Sequence, residues 1–181
     1  KSSDFYPGKQ LSRLAVETAR RKPALLTDYS LPPGPLLLRR EICRHAHDLG
    51  MTLAPEDIIL TNGCMEALQL ALRGVTRPGD TIALESPTYF NLISLAEHLG
   101  LRTIEVSTHP GQGMSLDALE LLLSERRVQA VVTMPSVHNP LGTSMPVAGK
   151  QRLAKLAQTY RVPVIEDALY AEIQYATPLQ P

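Results

Sequence analysis

The sequence predicts an α/β fold, a three-layer αβα domain with a mostly parallel sheet. Three observations predict it. Short apolar runs alternate with stretches of helical spacing from residue 57 to residue 167. The apolar runs lack period-two polarity, so both faces of their sheet would be covered. The links between runs are short, as in successive strand–helix–strand units.

The N-terminal part is helical and precedes the alternation. Residues 11–21 place Leu11, Leu14, Ala15 and Thr18-Ala19 on one face of a short amphipathic helix. The stretch "DYSLPPGP", residues 28–35, is a loop, because Pro and Gly exclude regular structure there. Residues 36–49 return to helical spacing, and Gly50 is a suitable stop. Two domain segments follow from this: residues 1–50, a helical segment with a loop leading into the large domain, and residues 51–181, part of the large domain itself.

The alternation then runs in order. "DIILT" is a β-branched strand candidate, followed by the helix "CMEALQLALRGV". "DTIALE" is the second strand and "YFNLISLAEHLG" its helix, stopped at Gly100. "RTIEVS" is the third strand, and "SLDALELLLSERR" a helix opened by a Ser or Asp cap. "VQAVVTM" is the fourth strand, "VAGKQRLAKLAQTYR" the next helix, and "VPVIED" the fifth strand.

Composition narrows the function classes. The 181 residues are 44% hydrophobic and 20% charged, within the range of ordinary globular domains. The formal net charge of +0 does not point to a nucleic-acid or membrane surface within these residues. No apolar run reaches the roughly 18 residues of a membrane span, and "KSSDFYPGKQ" lacks the apolar core of a signal peptide. Cys43 and Cys64 have no metal-ligand spacing around them and are expected as free thiols in a reducing compartment, the cytoplasm. The five histidines show no metal spacing, so no metal site is expected; His138 suits either a pocket lining or a turn.

Ligand sites in parallel α/β sheets gather beyond the carboxyl ends of the strands. Four segments fall there: Asn62-Gly63-Cys64-Met65, "SPTYF" with Tyr89, "PSVHNPLG" with Asn139, and Asp167 followed by Tyr170. Singly, each has a plain structural reading as a turn, a rim aromatic or a helix cap. Jointly they match one ligand. A helix N-terminus opened by glycine holds a phosphate. A tyrosine ring stacks on a flat heterocycle, and an Asn and a Tyr bond a ring hydroxyl. A carboxylate pairs with a protonated ring nitrogen. That ligand is pyridoxal 5′-phosphate (PLP), whose electron-sink chemistry needs the protonated nitrogen.

From about Phe5 onward the chain resembles the fold-type I PLP-dependent aminotransferases, class I/II. The resemblance rests on "HNPLG", on the D-x-x-Y segment Asp167-Ala168-Leu169-Tyr170, on the turn at Gly63-Cys64-Met65 and on Tyr89 in "SPTYF". It implies that Asn139 and Tyr170 bond the cofactor's phenolic oxygen and that Asp167 holds its pyridine nitrogen. Tyr29, in a Y-x-x-x-x-G pattern with Gly34, would reach the phosphate of a neighbouring subunit in a homodimer. "YSLPPGPLLLRREICRH", "ILTNGCMEALQLALRGVTRPGDTIALESPTYF" and "VIEDALYAEI" are similar to the aminotransferase-like domain of the MocR-type GntR regulators. That likeness implies a bacterial protein that senses an amino acid or amine, and that contacts DNA only through a winged-helix domain not present in these residues.

The resemblance also implies a Schiff-base lysine in a Ser-rich segment beyond Pro181, so no catalytic residue is assigned within the chain. Lys150 and Lys155, on the helix before the last strand, are read as solvated surface lysines. Residues 51–181 would then be a partial PLP-binding large domain, and the isolated chain is expected to lack transaminase activity. Two functions remain open from the sequence: the effector domain of a regulator, and the core of an aminotransferase acting on an amino acid and a 2-oxo acid. A dinucleotide site is disfavoured, because "TNGCMEAL" lacks G-x-G-x-x-G.

Overall fold

The computed structural model describes residues 6–173. The chain divides into two compact units, residues 1–47 with 52–60, and residues 48–51 with 61–181.

The first unit carries helix α1 (Gly8–Arg21) and most of α2 (Leu36–Asp48), with short 3-10 turns at Pro23–Leu26 and Pro55–Asp57. α1 buries none of its residues and α2 buries only Ala46. Side-chain-to-backbone bonds tie parts of this unit together. Arg39 donates from Nε to the Gly34 carbonyl at 3.1 Å and from Nη1 to the Pro55 carbonyl at 2.6 Å. Gly34 sits at φ +103°, a conformation that favours glycine.

The expected strand "DIILT" does not form. Ile58 is extended, at φ −111° and ψ 126°. However, the next bond of this segment runs from the Leu60 N–H to the Pro33 carbonyl at 2.9 Å, so it pairs with a loop of its own unit. An extended β-branched run becomes a strand only where a partner edge is offered.

The second unit holds the sheet. Its elements are α3 (Cys64–Val75), β1 (Thr81–Ser86), α4 (Phe90–His98), β2 (Arg102–His109), β3 (Gly113–Met114), α5 (Leu116–Ser124), β4 (Ala130–Thr133), α6 (Val147–Tyr160) and β5 (Val164–Glu166). The strand order is β3-β2-β1-β4-β5. β1 pairs in parallel with β2 and β4, and β4 with β5; the two-residue β3 turns back antiparallel on β2.

Alternate residues of the strands face opposite helical layers. Ile82 and Leu84 of β1 and Ala130 and Val132 of β4 pack with Leu68 and Leu72 of α3 and Leu92 and Ala96 of α4. Ala83 and Val131 pack on the other face with Leu119, Leu122 and Leu123 of α5 and Leu153 and Leu156 of α6. Each fully buried leucine contributes about 1.5–3 kcal/mol of transfer free energy, so the two apolar layers hold the central strands from both sides. The α/β class, its three layers and its largely parallel sheet are those the sequence predicts.

This topology fixes where a ligand can sit. From β1 the chain crosses on the α4 face to β2; from β4 it crosses on the α6 face to β5. The loops leaving β1 and β4 therefore diverge to opposite faces, and the carboxyl ends of these adjacent strands open a crevice between them.

Candidate functional site

Asp167 leaves β5 in register with the end of β4: its N–H donates to the Thr133 carbonyl at 2.9 Å. Of the two adjacent acids, Glu166 is exposed and Asp167 is buried, because strand alternation sends them to opposite faces. The Asp167 carboxylate is oriented through one oxygen. Oδ1 accepts from the Leu169 N–H at 3.0 Å and from the Cys64 thiol at 3.5 Å. The first bond is a local Asx turn; the second ties β5 to the N-terminus of α3. No bond to Oδ2 is recorded among the described residues, so a cation could take that oxygen without breaking either contact.

Cys64 is the first residue of α3, and Gly63 is its N-cap at φ +101°, with no side-chain cap bond. Thr61 Oγ1 donates to the Gly63 carbonyl at 3.1 Å, which shapes the turn. The first N–H groups of a helix have no intrahelical acceptor, and an uncapped glycine leaves them accessible to an anion. A Cβ at Gly63 would meet nothing within 4 Å, so the glycine is required by its backbone angle and not by crowding. The Cys64 thiol is pushed up to about 11 by burial, then by the charge of Asp167 and the hydrogen bond to it. It is therefore a neutral donor to the carboxylate at physiological pH.

Tyr89 is the N-cap of α4 and half-buried. Its hydroxyl accepts from Asn91 Nδ2 at 2.6 Å, and its ring lies 4.9 Å from that of Phe90 at 58°. Asn139 is half-buried in the loop after β4, and Tyr170 half-buried in the turn after Asp167. The crevice edge thus carries the ends of β1, β4 and β5 together with the start of α3. Gly63, Cys64, Met65, Tyr89, Asn139, Asp167 and Tyr170 all belong to these segments. Tyr29 lies in the first unit and is 96% exposed.

Sequence reasoning passed over two features. Glu85, the penultimate residue of β1, is 1% exposed and lies beside His138, itself 3% exposed. Burial raises the Glu85 carboxyl above its ordinary range and lowers the His138 imidazole below its own. His138 therefore serves the turn, where its Nδ1 accepts from the Leu141 N–H at 3.4 Å. Lys150, read from the sequence as a solvated surface lysine, is half-buried; its Nζ donates to the buried Ser136 hydroxyl at 2.8 Å. The signal for both lay in position: an acid ending an apolar strand, and a lysine one turn into a helix that follows a site loop. Among the described residues no group of His, Cys, Asp and Glu is placed to hold a metal ion.

Fold and site together define a largely parallel α/β domain whose candidate site lies at the switch point of its sheet. The chain belongs to the aminotransferase class I and II family, whose model matches residues 2–180. It is 36% identical over 171 residues to YdcR, an uncharacterized HTH-type transcriptional regulator of Escherichia coli (strain K12), covering 94% of this chain and 36% of that protein. It is 38% identical over 145 residues to YjiR, another such regulator of the same organism, covering 80% of this chain and 31% of that protein. The chain thus spans about a third of the length of these curated relatives. Among solved structures it is similar to LysN, the α-aminoadipate aminotransferase of Thermus thermophilus complexed with N-(5′-phosphopyridoxyl)-L-leucine. The TM-score is 0.80 at 28% identity, over 92% of this chain and 41% of that one.

Proposed function

We propose that the chain is the PLP-binding part of an aminotransferase-like domain, and that this domain senses an amino acid or amine for a GntR/MocR-type transcriptional regulator. The observation that carries the cofactor reading is the Asp167 carboxylate, anchored at Oδ1 by Leu169 and Cys64 beside an uncapped helix N-terminus. A buried acid held through one oxygen presents the other to a cation, and a protonated pyridine nitrogen is such a cation. The residues present fit the group. The N–H groups at Gly63, Cys64 and Met65 would hold the phosphate. Tyr89 would cover the ring. Asn139 and Tyr170 would donate to the phenolic oxygen, and Asp167 would keep the ring nitrogen protonated. When bound, PLP supplies an electron sink for a substrate amine. Tyr29 would serve the phosphate of a second subunit in a homodimer.

Support for the regulator comes from the likeness to YdcR and YjiR, both named as HTH-type transcriptional regulators. DNA binding would belong to a separate domain. The likeness to LysN supports a second reading, an aminotransferase acting on an amino acid and a 2-oxo acid. Titration of the full-length protein with PLP tests the cofactor reading. Saturable binding that weakens at least tenfold in Asp167→Asn is expected; no saturable binding refutes it. Amino-donor turnover by the same PLP-loaded protein, without effector-dependent DNA binding, would decide for the enzyme.

A further inference from the structure

Glu85, one residue before the end of the central strand, carries a buried carboxylate that the proposed cofactor contacts do not use. Its Oε2 accepts from the Met134 backbone N–H at 2.6 Å and faces His138 Nε2 at 3.4 Å. Because His138 Nδ1 accepts from the Leu141 N–H, a neutral imidazole carries its proton on Nε2, toward the carboxylate. The turn is closed by backbone bonds on the same residue. The His138 N–H donates to the Thr143 carbonyl at 2.8 Å, and the His138 carbonyl accepts from the Gly142 N–H.

One side chain of β1 thus meets the loop after β4 at two points, one a hydrogen bond and the other a close polar contact. The first is Met134, where the chain leaves the strand. The second is His138, directly before Asn139. Both contacts span the switch point, where the loops from β1 and β4 part. Burying a carboxylate is a poor route to stability, since an apolar residue of similar volume does as well or better. Glu85 Oε1 and His138 Nε2 have no hydrogen-bond partner among the described residues, so the acid is not there to complete a satisfied network. The contacts it does make are to the loop that carries Asn139.

We propose that Glu85 is a positioning residue that sets the Asn139 amide toward its ligand by holding Met134 directly and Asn139 through His138. The inference rests on the reading of Asn139 as a ligand of the PLP phenolic oxygen. Glu85→Leu keeps a similar volume but removes the oxygen that meets both the Met134 N–H and His138 Nε2. His138→Gln keeps both functions, since its carbonyl accepts from Leu141 and its amide donates to Glu85; His138→Leu keeps neither.

The test is PLP affinity of the full-length protein by absorbance titration, beside thermal melts. Glu85→Leu and His138→Leu are each expected to weaken PLP binding roughly five- to tenfold, the loss of about one hydrogen bond. His138→Gln is expected to restore binding to within about twofold, as a retained hydrogen bond requires. In an Asn139→Ala background Glu85→Leu is expected to cost nothing more, because it acts through Asn139. A full additional loss in that background overturns the proposal, as does unchanged affinity in His138→Leu. Failure of the unsubstituted protein to bind PLP would remove the cofactor reading instead. The side-chain amide signal of Asn139 in ligand-free, 15N-asparagine-labelled protein then decides the positioning alone. It is expected to shift in Glu85→Leu, and an unmoved signal overturns it.

Discussion

Removing the charge of Asp167 should awaken the Cys64 thiol. The two side chains lie 3.5 Å apart, and burial together with the carboxylate pushes the thiol up to about 11. An unperturbed cysteine titrates near ~8.5, so at pH 8 about a quarter of it is thiolate. At Cys64 the thiolate fraction falls to about one part in a thousand, and only the thiolate reacts with alkylating agents. Iodoacetamide should therefore modify Cys64 on the order of a hundredfold more slowly than it modifies an unstructured cysteine peptide. Asp167→Asn removes the repulsion and the anionic acceptor but leaves burial, the largest cause. The expected gain at pH 8 is then partial, roughly three- to tenfold. The assay is mass spectrometry of the Cys64 peptide over a time course, with the Cys43 peptide of the same digest reporting on the reagent. Thermal melts confirm that the variant stays folded. Two results would refute the reasoning: Cys64 reacting within a few-fold of the free peptide, or Asp167→Asn leaving its rate unchanged.

Three further outcomes follow from packing and charge. Burial holds the His138 imidazole below its ordinary 6.5. Its neutral form therefore contributes stability that is complete above pH 6.5 and lost as the pH falls below it. Urea midpoints should decline over that range, and the decline should flatten in His138→Gln; identical slopes would contradict it. Gly34→Ala would place a Cβ 2.5 Å from Leu60 Cδ1 at φ +103°. A loss of about 1–3 kcal/mol is expected in urea unfolding, and a neutral result would show the turn to be free to adjust. Leu119 is 0% exposed, whereas Leu121 on the same helix is 60% exposed. Leu119→Ala should cost about 2–5 kcal/mol and Leu121→Ala less than about 0.5, and equal losses would refute the assignment of the buried face.

The helices were the most legible part of the chain, for reasons visible in particular residues. α3 spans Cys64–Val75, the stretch its periodicity marks, because Gly63 can open it and the β-branched Thr76 takes an extended conformation after it. α5 begins where Ser115 Oγ accepts from the Ala118 N–H, as its cap residue predicts. Strands were less certain, because a strand depends on a partner elsewhere in the chain. "DIILT" has the composition of β1 yet pairs with the loop at Pro33. Gly113–Met114 has no strand pattern yet pairs with the end of β2. The candidate site was legible where residue type alone restricts chemistry, as in an acid closing an apolar strand. The hydrogen bond from Cys64 to Asp167 and the pairing of Glu85 with His138 were not, since each joins residues far apart in sequence. Alternation alone cannot tell which acid of Glu166-Asp167 turns inward until the register of β5 on β4 is known.

The order of strands carries a consequence for how the sheet is made. β1 comes first in the chain and ends in the middle of the described sheet. Each later strand adds to an edge that already exists: β2 on one side, β3 beyond it, β4 on the other side, and β5 beyond that. No strand has to be inserted between two already paired. The sheet can therefore grow outward from a single seed as the chain emerges, and each new ladder closes onto a template already covered by a helix. The loop between β4 and α6 can take its final form only once β1 and β4 are side by side. On this order the crevice is completed late in assembly, after the sheet that supports it.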